Sequence, residues 1–409
     1  MKYALFESEP KNEHSGCEGQ CKNCGKAHIK VLGRDDADMK QLTAHIKSAL
    51  EVFPMKHRLV EVTDAAALEL SEAAAYPALL LDGTLVSAGE TLSVAEILNM
   101  FCDRYLAHSK LHQLRTILVP VDMSPVSGNA LRFAYQIALH TGSNIEVLHV
   151  MDSIFEGQYP SPSGFLANYQ KTLQRELDEF IEATLKDQKI VWGAEVSMPS
   201  GITSPQKPLI PIINAKVTTG FPDSAIEEHS VNADLIVMGT SGKTSLSERL
   251  FGSISIEVSK FSHCSALFIP QTASFKDFKN ILYASNFESL NVLRIRQAIA
   301  FAKHFDSQIH FVHVGPPSEE GISWQRTLFE ADYSNAQPGK PFLFCKMVEN
   351  EGVLEELYEY AYYHQIGLFV FVTHQRNFLE TLLHKSVTRK ALLNSDLPIL
   401  IMHSDDDMN

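Results

Sequence analysis

At 409 residues the chain is longer than one hydrophobic core usually serves, so two or three domains are expected. Hydrophobic residues make up 45% and charged residues 21%, which excludes wholesale disorder. The 35 Lys and Arg against 49 Asp and Glu leave a net charge of −14, which repels a phosphate backbone and argues against nucleic acid as a partner.

The amino terminus, Met1 to Glu7, reaches acidic residues before an apolar secretory segment can form. Apolar runs such as Ala78 to Leu81 are far too short to cross a bilayer, so a cytoplasmic protein without membrane contact is expected. Six cysteines are too few for a disulfide scaffold of this length. Three of them, Cys17, Cys21 and Cys24, cluster as C-x3-C-x2-C in a polar leader (residues 1–27) with His14 and His28 nearby. Thiolates at that spacing suit zinc, with a histidine as fourth ligand, or an iron–sulfur cluster; the alternative is a leader with solvent-exposed thiols. Cys102, Cys264 and Cys345 sit in apolar surroundings and read as buried, inert thiols.

After the leader, Ile29 to Leu32 reads as a strand, and Met39, Leu42, Ile46, Leu50 and Phe53 recur at helical spacing. Leu59 to Val62 forms a second strand, Asp64 an N-cap, and Ala65 to Ala73 a helix. Tyr76-Pro77 precedes a hairpin of Ala78 to Leu81 and Thr84 to Ser87 around Asp82-Gly83, and Ser93 caps a closing helix. This β-α-β-α-β-β-α order resembles a thioredoxin fold over residues 28–106, within a domain placed at 28–108. The resemblance implies a cis Tyr76-Pro77 bond. It also implies a redox-inactive scaffold, because Gly33-Arg34-Asp35-Asp36 fills the family's active-site position without a thiol, and Cys21-Lys22-Asn23-Cys24 precedes the first strand.

Ala107 to Gln113 is polar and aperiodic and reads as a linker. Ile117 to Val121 is a buried-strand run, Ser124-Pro125 an N-cap and N1 pair, and Leu131, Ala134, Ile137 and Ala138 a helix face; Ile145 to Val150 completes a β-α-β unit with a parallel sheet. A long amphipathic helix follows through Leu166, Leu173, Leu177 and Leu185. Pro199 to Pro211 reads as a loop insertion, Asp234 to Met238 as another buried strand, and Ala266 to Pro270 as the last. Residues 280–403 then repeat the plan: Ile281 to Phe287 echoes Ile117 to Met123, and His310 to Val314 echoes Glu146 to Val150.

The segment Met238-Gly239-Thr240-Ser241-Gly242-Lys243 through Gly252-Ser253-Ile254 spaces its glycines as G-x2-G-x9-G-S, between a strand and a helix start. Glycine lets a phosphate approach main-chain N–H groups, and a helix start offers unpaired donors and a partial positive charge. A Walker A loop fails because Val237 stands where its first glycine belongs, and a dinucleotide fingerprint fails on spacing and position.

The spacing resembles the nucleotide-binding signature of the universal stress protein family. Val119-Pro120-Val121-Asp122-Met123-Ser124 is similar to the family's opening strand, Leu148-His149-Val150 to its second, and Gly220-Phe221-Pro222 to its Gly-x-Pro turn. The resemblance implies an α/β chain: a thioredoxin-like domain followed by two Rossmann-like, adenine nucleotide alpha hydrolase-like stress-protein domains with parallel sheets, at 114–272 and 279–404. It implies ATP, with or without Mg²⁺, beside Pro120. Asp122 would accept ribose hydroxyl hydrogens, Val150 would meet adenine through its main chain, and Met238 and Gly239 would line the pocket. Gly242, Gly252, Ser253 and Ile254 would hold phosphates.

The second copy departs from the signature: Asn286 replaces Asp122, Ala284 replaces Pro120, and Val372 to Gln375 with Lys385-Ser386 replaces the glycines. Tandem members pair their halves about a pseudo-two-fold axis, so an internal pseudo-dimer is expected, with homodimers and an unidentified protein as further partners. No H-E-x-x-H, G-x-S-x-G or EF-hand pattern supplies a catalytic residue. The expected function is an ATP-binding stress-response sensor with at most slow hydrolysis. The alternative is a thiol- or metal-dependent redox protein acting through Cys17, Cys21 and Cys24.

Overall fold

The computed structural model describes residues 27–52, 57–69, 73–106, 110–111, 113–152, 165–193, 210–240, 252–276, 278–285, 292–314, 330, 333–334, 337, 339–341, 343–347, 353–373 and 396–403. The chain packs as two units that divide between Phe101 and Cys102. Among the described residues no helix is long and apolar enough to cross a membrane.

The first unit runs β1 (Ala27–Leu32), α1 (Ala37–Val52), β2 (His57–Val62), α2 (Ala65–Glu69), β3 (Ala78–Leu81), β4 (Thr84–Ala88) and into α3 (Val94–Leu106). Its sheet has the order β2-β1-β3-β4, with β1 parallel to β2 and antiparallel to β3. Ala27, Ile29 and Val31 alternate into its core, as period-two patterning requires. Local chemistry sets the boundaries. Asp36 Oδ1 accepts from Met39 N over 3.0 Å at the start of α1. Ser93 and Glu96 close a capping box ahead of α3, Ser93 N to Glu96 Oε2 at 2.8 Å and Glu96 N to Ser93 Oγ at 3.3 Å. Asp82 and Gly83 both take positive φ, 51° and 82°, as a two-residue hairpin turn demands. The Tyr76-Pro77 bond is cis. Helix α2 spans Ala65–Glu69, and Ala73, expected at its end, is not helical. The sequence Ala73-Ala74-Ala75 offers no long apolar side chain whose burial would extend a helix there.

Among the described residues the second unit is built on one 11-stranded sheet. Its first part comprises β5 (Thr116–Pro120), α4 (Pro125–Thr141), β6 (Asn144–Asp152), α5 (Phe165–Thr184), β7 (Val191–Trp192), β8 (Ile212–Gly220), α6 (Pro222–Ser230), β9 (Leu235–Gly239), α7 (Ser253–Phe261) and β10 (Ser265–Ile269). Its second part comprises β11 (Asn280–Ser285), α8 (Val292–Lys303), β12 (Gln308–Val314), β13 (Leu343–Met347), α9 (Val353–Tyr363), β14 (Leu368–Thr373) and β15 (Ile399–His403). The strand order is β13-β12-β11-β14-β15-β10-β9-β5-β6-β8-β7. Every pairing in it is parallel except β10 with β15, which is antiparallel.

One face of this sheet carries a continuous apolar cluster. Leu118, Leu148, Ile236 and Phe268 meet Ile226 and Val258 there, and Leu282, Val312, Phe369 and Ile401 meet Leu357 and Ala361. Equivalent main-chain bonds recur in the two parts. Asp234 N donates to Thr116 O at 2.9 Å and Gly367 N to Asn280 O at 2.8 Å; Asn144 N donates to Arg115 O at 2.7 Å and Gln308 N to Lys279 O at 2.8 Å.

Two features go beyond the sequence reading. The segment read as a linker before β5 is packed where it is described: Leu111 is buried, as is Leu114 just after it, and Lys110 Nζ donates to the carbonyls of Ser230, Val231 and His263. Residues 212–220 form a full strand that periodicity did not suggest. Of that strand only Ile213 is fully buried, so its polar Asn214, Lys216, Thr218 and Thr219 mask the pattern.

Candidate nucleotide crevice

The order in which strands are added reverses at β5. From it the chain builds outward through β6 to β8, then crosses back to lay β9 and β10 on its other side. In an open parallel sheet such a switch point leaves a crevice at the carboxyl ends of the strands, because the flanking connections leave on opposite faces. Register points to the same place. β5 stays paired with β6 as far as Pro120–Leu148, whereas its pairing with β9 ends at Leu118–Ile236. The ends of β5 and β9 therefore part just where Pro120, Asp122, Met238 and Gly239 lie.

The turn out of β5 is tightly specified. Val121 N donates to Leu148 O at 2.8 Å, and His149 Nδ1–H donates to Val121 O at 2.9 Å. Asp122 Oδ1 accepts from Ser124 N at 3.0 Å, and Met123 takes a left-handed φ of 59°, which costs a side-chain-bearing residue roughly 1–2 kcal/mol. Ser124 caps α4 through Ser127 N at 3.2 Å, and Ser127 Oγ accepts from Ser124 N at 3.1 Å. Pro125 follows at the first helical position. Asp122 is half-buried at the mouth of the crevice.

The two described glycines of the G-x2-G-x9-G-S segment divide by role. A Cβ on Gly239 would lie 2.6 Å from Val126 Cγ1 and 3.3 Å from Val126 main-chain atoms. Its missing side chain is what lets the first turn of α4 sit against the end of β9, a packing role the sequence reading assigned to the ligand. Gly252 is the N-cap of α7 at φ −67°, a conformation open to any residue, so its value lies in bareness and not in backbone freedom. The first bond inside α7 is Ile256 N to Gly252 O at 3.2 Å, which leaves Ser253, Ile254 and Ser255 N–H without intrahelical acceptors. Ser253 and Ile254 are exposed.

The flanks of the loop are drawn together. Gly252 N donates to Thr240 O at 2.8 Å and Thr240 N to Ile269 O at 3.1 Å, while Ser255 Oγ donates to the carbonyls of Gly239 and Thr240, each at 3.2 Å. Val150, half-buried on β6 and paired with Thr218, completes the same edge. The structure thus brings together Pro120, Asp122, Val150, Met238, Gly239, Gly252, Ser253 and Ile254. Gly242 lies outside the described residues, as do Cys17, Cys21 and Cys24. Among the described residues no group of three or more His, Cys, Asp or Glu is placed to hold a metal. Cys102 and Cys264 are buried thiols outside any disulfide; the side chain of Cys345 is outside the described residues.

The profile described as "Universal stress protein family" matches residues 113–270, the span holding this crevice. A universal stress protein of Methanocaldococcus jannaschii is 30% identical over 158 residues, which is 38% of this chain and 81% of that protein. The chain belongs to the universal stress protein family. Its fold is also similar to that of a universal stress protein from Archaeoglobus fulgidus, with a TM-score of 0.52 at 16% identity, covering 71% of this chain and 99% of the other. The family assignment accounts for the β5–β10 part of the sheet. Met123 and the Val126–Gly239 approach are what sequence reasoning missed there, since neither a left-handed methionine nor a helix-to-strand distance leaves a mark on residue spacing.

Proposed function

We propose that the crevice between β5 and β9 binds ATP and that the chain is a stress-response sensor, with hydrolysis slow or absent. The observation that carries this reading is the coincidence, at one switch point, of a half-buried carboxylate and a helix N-terminus with bare donors. Asp122 suits vicinal ribose hydroxyls, accepting their hydrogens. The N–H groups of Ser253 and Ile254 suit phosphate oxygens, in line with the partial positive charge of a helix start. Pro120, Val150 and Met238 supply an apolar wall for the base. Mg²⁺, if bound with the nucleotide, would neutralise charge on the phosphates.

In this reading residues 28–108 form a thioredoxin-like domain, supported by the strand order β2-β1-β3-β4, and residues 114–272 and 279–404 form two paired stress-protein domains. The mirrored strand order about β10 and β15 supports the pairing. The second domain would not bind nucleotide. Ala284 is buried where Pro120 stands in the first, and Val372 places a Cβ where Gly239 admits a helix. Asn286, Lys385 and Ser386 lie outside the described residues.

The test is mass spectrometry of the intact chain with Mg-ATP. One nucleotide per chain, lost on replacing Gly252 by a bulky residue, is expected. An empty chain at millimolar ATP would refute the reading.

A further inference from the structure

Beyond the crevice, we infer that Asn129 is a positioning residue that ties nucleotide occupancy to the segment joining the two parts of the sheet; this rests on the crevice being the nucleotide site. Asn129 lies on α4 and is 8% exposed. Its Nδ2 donates to Pro270 O at 3.0 Å and Ala273 O at 2.9 Å, with Gln271 O at 3.4 Å. An amide has two hydrogens, so these carbonyls share them and fix the segment leaving β10.

Both ends of that fixation reach the crevice. On one side, α4 begins at Ser124, whose N–H is held by Asp122, and its first turn rests on Gly239. On the other, Ile269 O, one residue before Pro270, accepts from Thr240 N beside the loop. A ligand that draws Asp122 and the Thr240–Gly252 neck toward itself therefore pulls on residues 269–273 through two separate hydrogen-bonded routes.

Downstream, Phe275 and Phe278 insert between the helices of the two parts. Phe275 lies 5.5 Å from Phe133 of α4 and Phe278 lies 5.1 Å from Phe305 just beyond α8, ring centre to ring centre, and the two rings are 5.1 Å apart. This aromatic wedge would transmit a shift of Pro270–Ala273 to α8, because packed rings move as a group.

Hydrogen exchange of the full chain, with and without saturating Mg-ATP, tests this on peptides covering residues 270–279. In the wild type, ATP is expected to slow exchange there at least about fivefold. Asn129→Ala, and Asn129→Asp as the isosteric variant without donors, are expected to bind ATP within about fivefold of wild type yet lose most of that slowing, the remainder passing through Thr240 and Ile269. Asn280→Ala, which removes a bond to His364 O elsewhere, should leave it intact. If the wild type fails to bind ATP, the crevice reading falls and takes the inference with it. If it binds while residues 270–279 stay unresponsive, or if the variants keep the response, the role of Asn129 alone is overturned. A wild-type chain that binds ATP with residues 270–279 unresponsive overturns the role even where a variant does not fold.

Discussion

Leu267 and Leu400 stand directly opposite each other in the antiparallel pair of β10 and β15, and their neighbours pair reciprocally, Ala266 with Ile401 and Phe268 with Ile399. Within the parallel pairings Ala266 aligns with Ile236 of β9 and Ile399 with Phe369 of β14. Each part therefore contributes the same strand position to the seam, as the proposed pseudo-two-fold pairing of the two parts requires. In that proposal the seam has the logic of an isologous interface built inside one chain. It also covers the edge that each part would otherwise leave open to pairing with another molecule.

Both leucines are fully buried, so Leu267→Ala and Leu400→Ala should each cost about 2–5 kcal/mol. Because the seam belongs to both parts, either substitution should speed hydrogen exchange in β9 and in β14. Loss of protection confined to the mutated part would count against a shared seam.

Gly239→Ala should destabilise the chain without any nucleotide present, by about 1–3 kcal/mol, since the new methyl meets Val126 at the start of α4. The smaller Val126→Ala side chain should recover part of that loss. Gly252→Ala, at a permitted φ, should cost no more than about 1 kcal/mol of stability. Urea denaturation of the three single variants and the Gly239→Ala, Val126→Ala double variant separates these outcomes.

His310 offers a pH signature. Burial, reinforced by His364, lowers its pKa from 6.5 to about 4; Tyr360 OH lies 2.9 Å from its Nδ1. The folded state holds the neutral ring, so its contribution is full above the ordinary histidine value and is lost as pH falls from 6.5 toward 4. The shift corresponds to roughly 3 kcal/mol. His310→Gln should flatten that part of the stability–pH curve relative to wild type, as measured by urea melts between neutral and acid pH.

Asp234 bears on the N-terminal edge of the same sheet. Its Oδ2 accepts from Arg115 N at 2.7 Å and Thr116 N at 2.9 Å, yet burial pushes its pKa above the usual carboxylate value despite those bonds. A raised carboxyl favours folding below its ordinary pKa and loses that contribution as pH rises through the folded value. Asp234→Asn, which keeps an acceptor without the charge, should hold or raise stability at neutral pH. Asp234→Ala should cost about 1–3 kcal/mol by stranding both N–H groups. Thermal melts at pH 7 compare the two.

The strand-helix plan was legible wherever residues are buried on one pattern. β5, β9 and β14 are runs of Ile, Leu, Val, Phe and Met, and Asp82-Gly83 and Ser93-x-x-Glu96 announce their turn and cap through chemistry that acts within a few residues. β8 was missed because most of it is half-buried and polar. For the proposed site, spacing grouped residues without dividing their labour. Spacing grouped Gly239 with Gly252, whereas one makes room for a helix and the other leaves a helix start bare. That distinction depends on where α4 lies relative to β9, a tertiary fact no local pattern encodes.

Titration calorimetry of the full chain with Mg-ATP tests the central claim most directly. The account predicts one site per chain, weakened at least about tenfold by Asp122→Ala, whose loss removes the acceptor for the ribose hydroxyls. Absence of binding at millimolar ATP, or affinity untouched by Asp122→Ala and Gly252→Val alike, would contradict it.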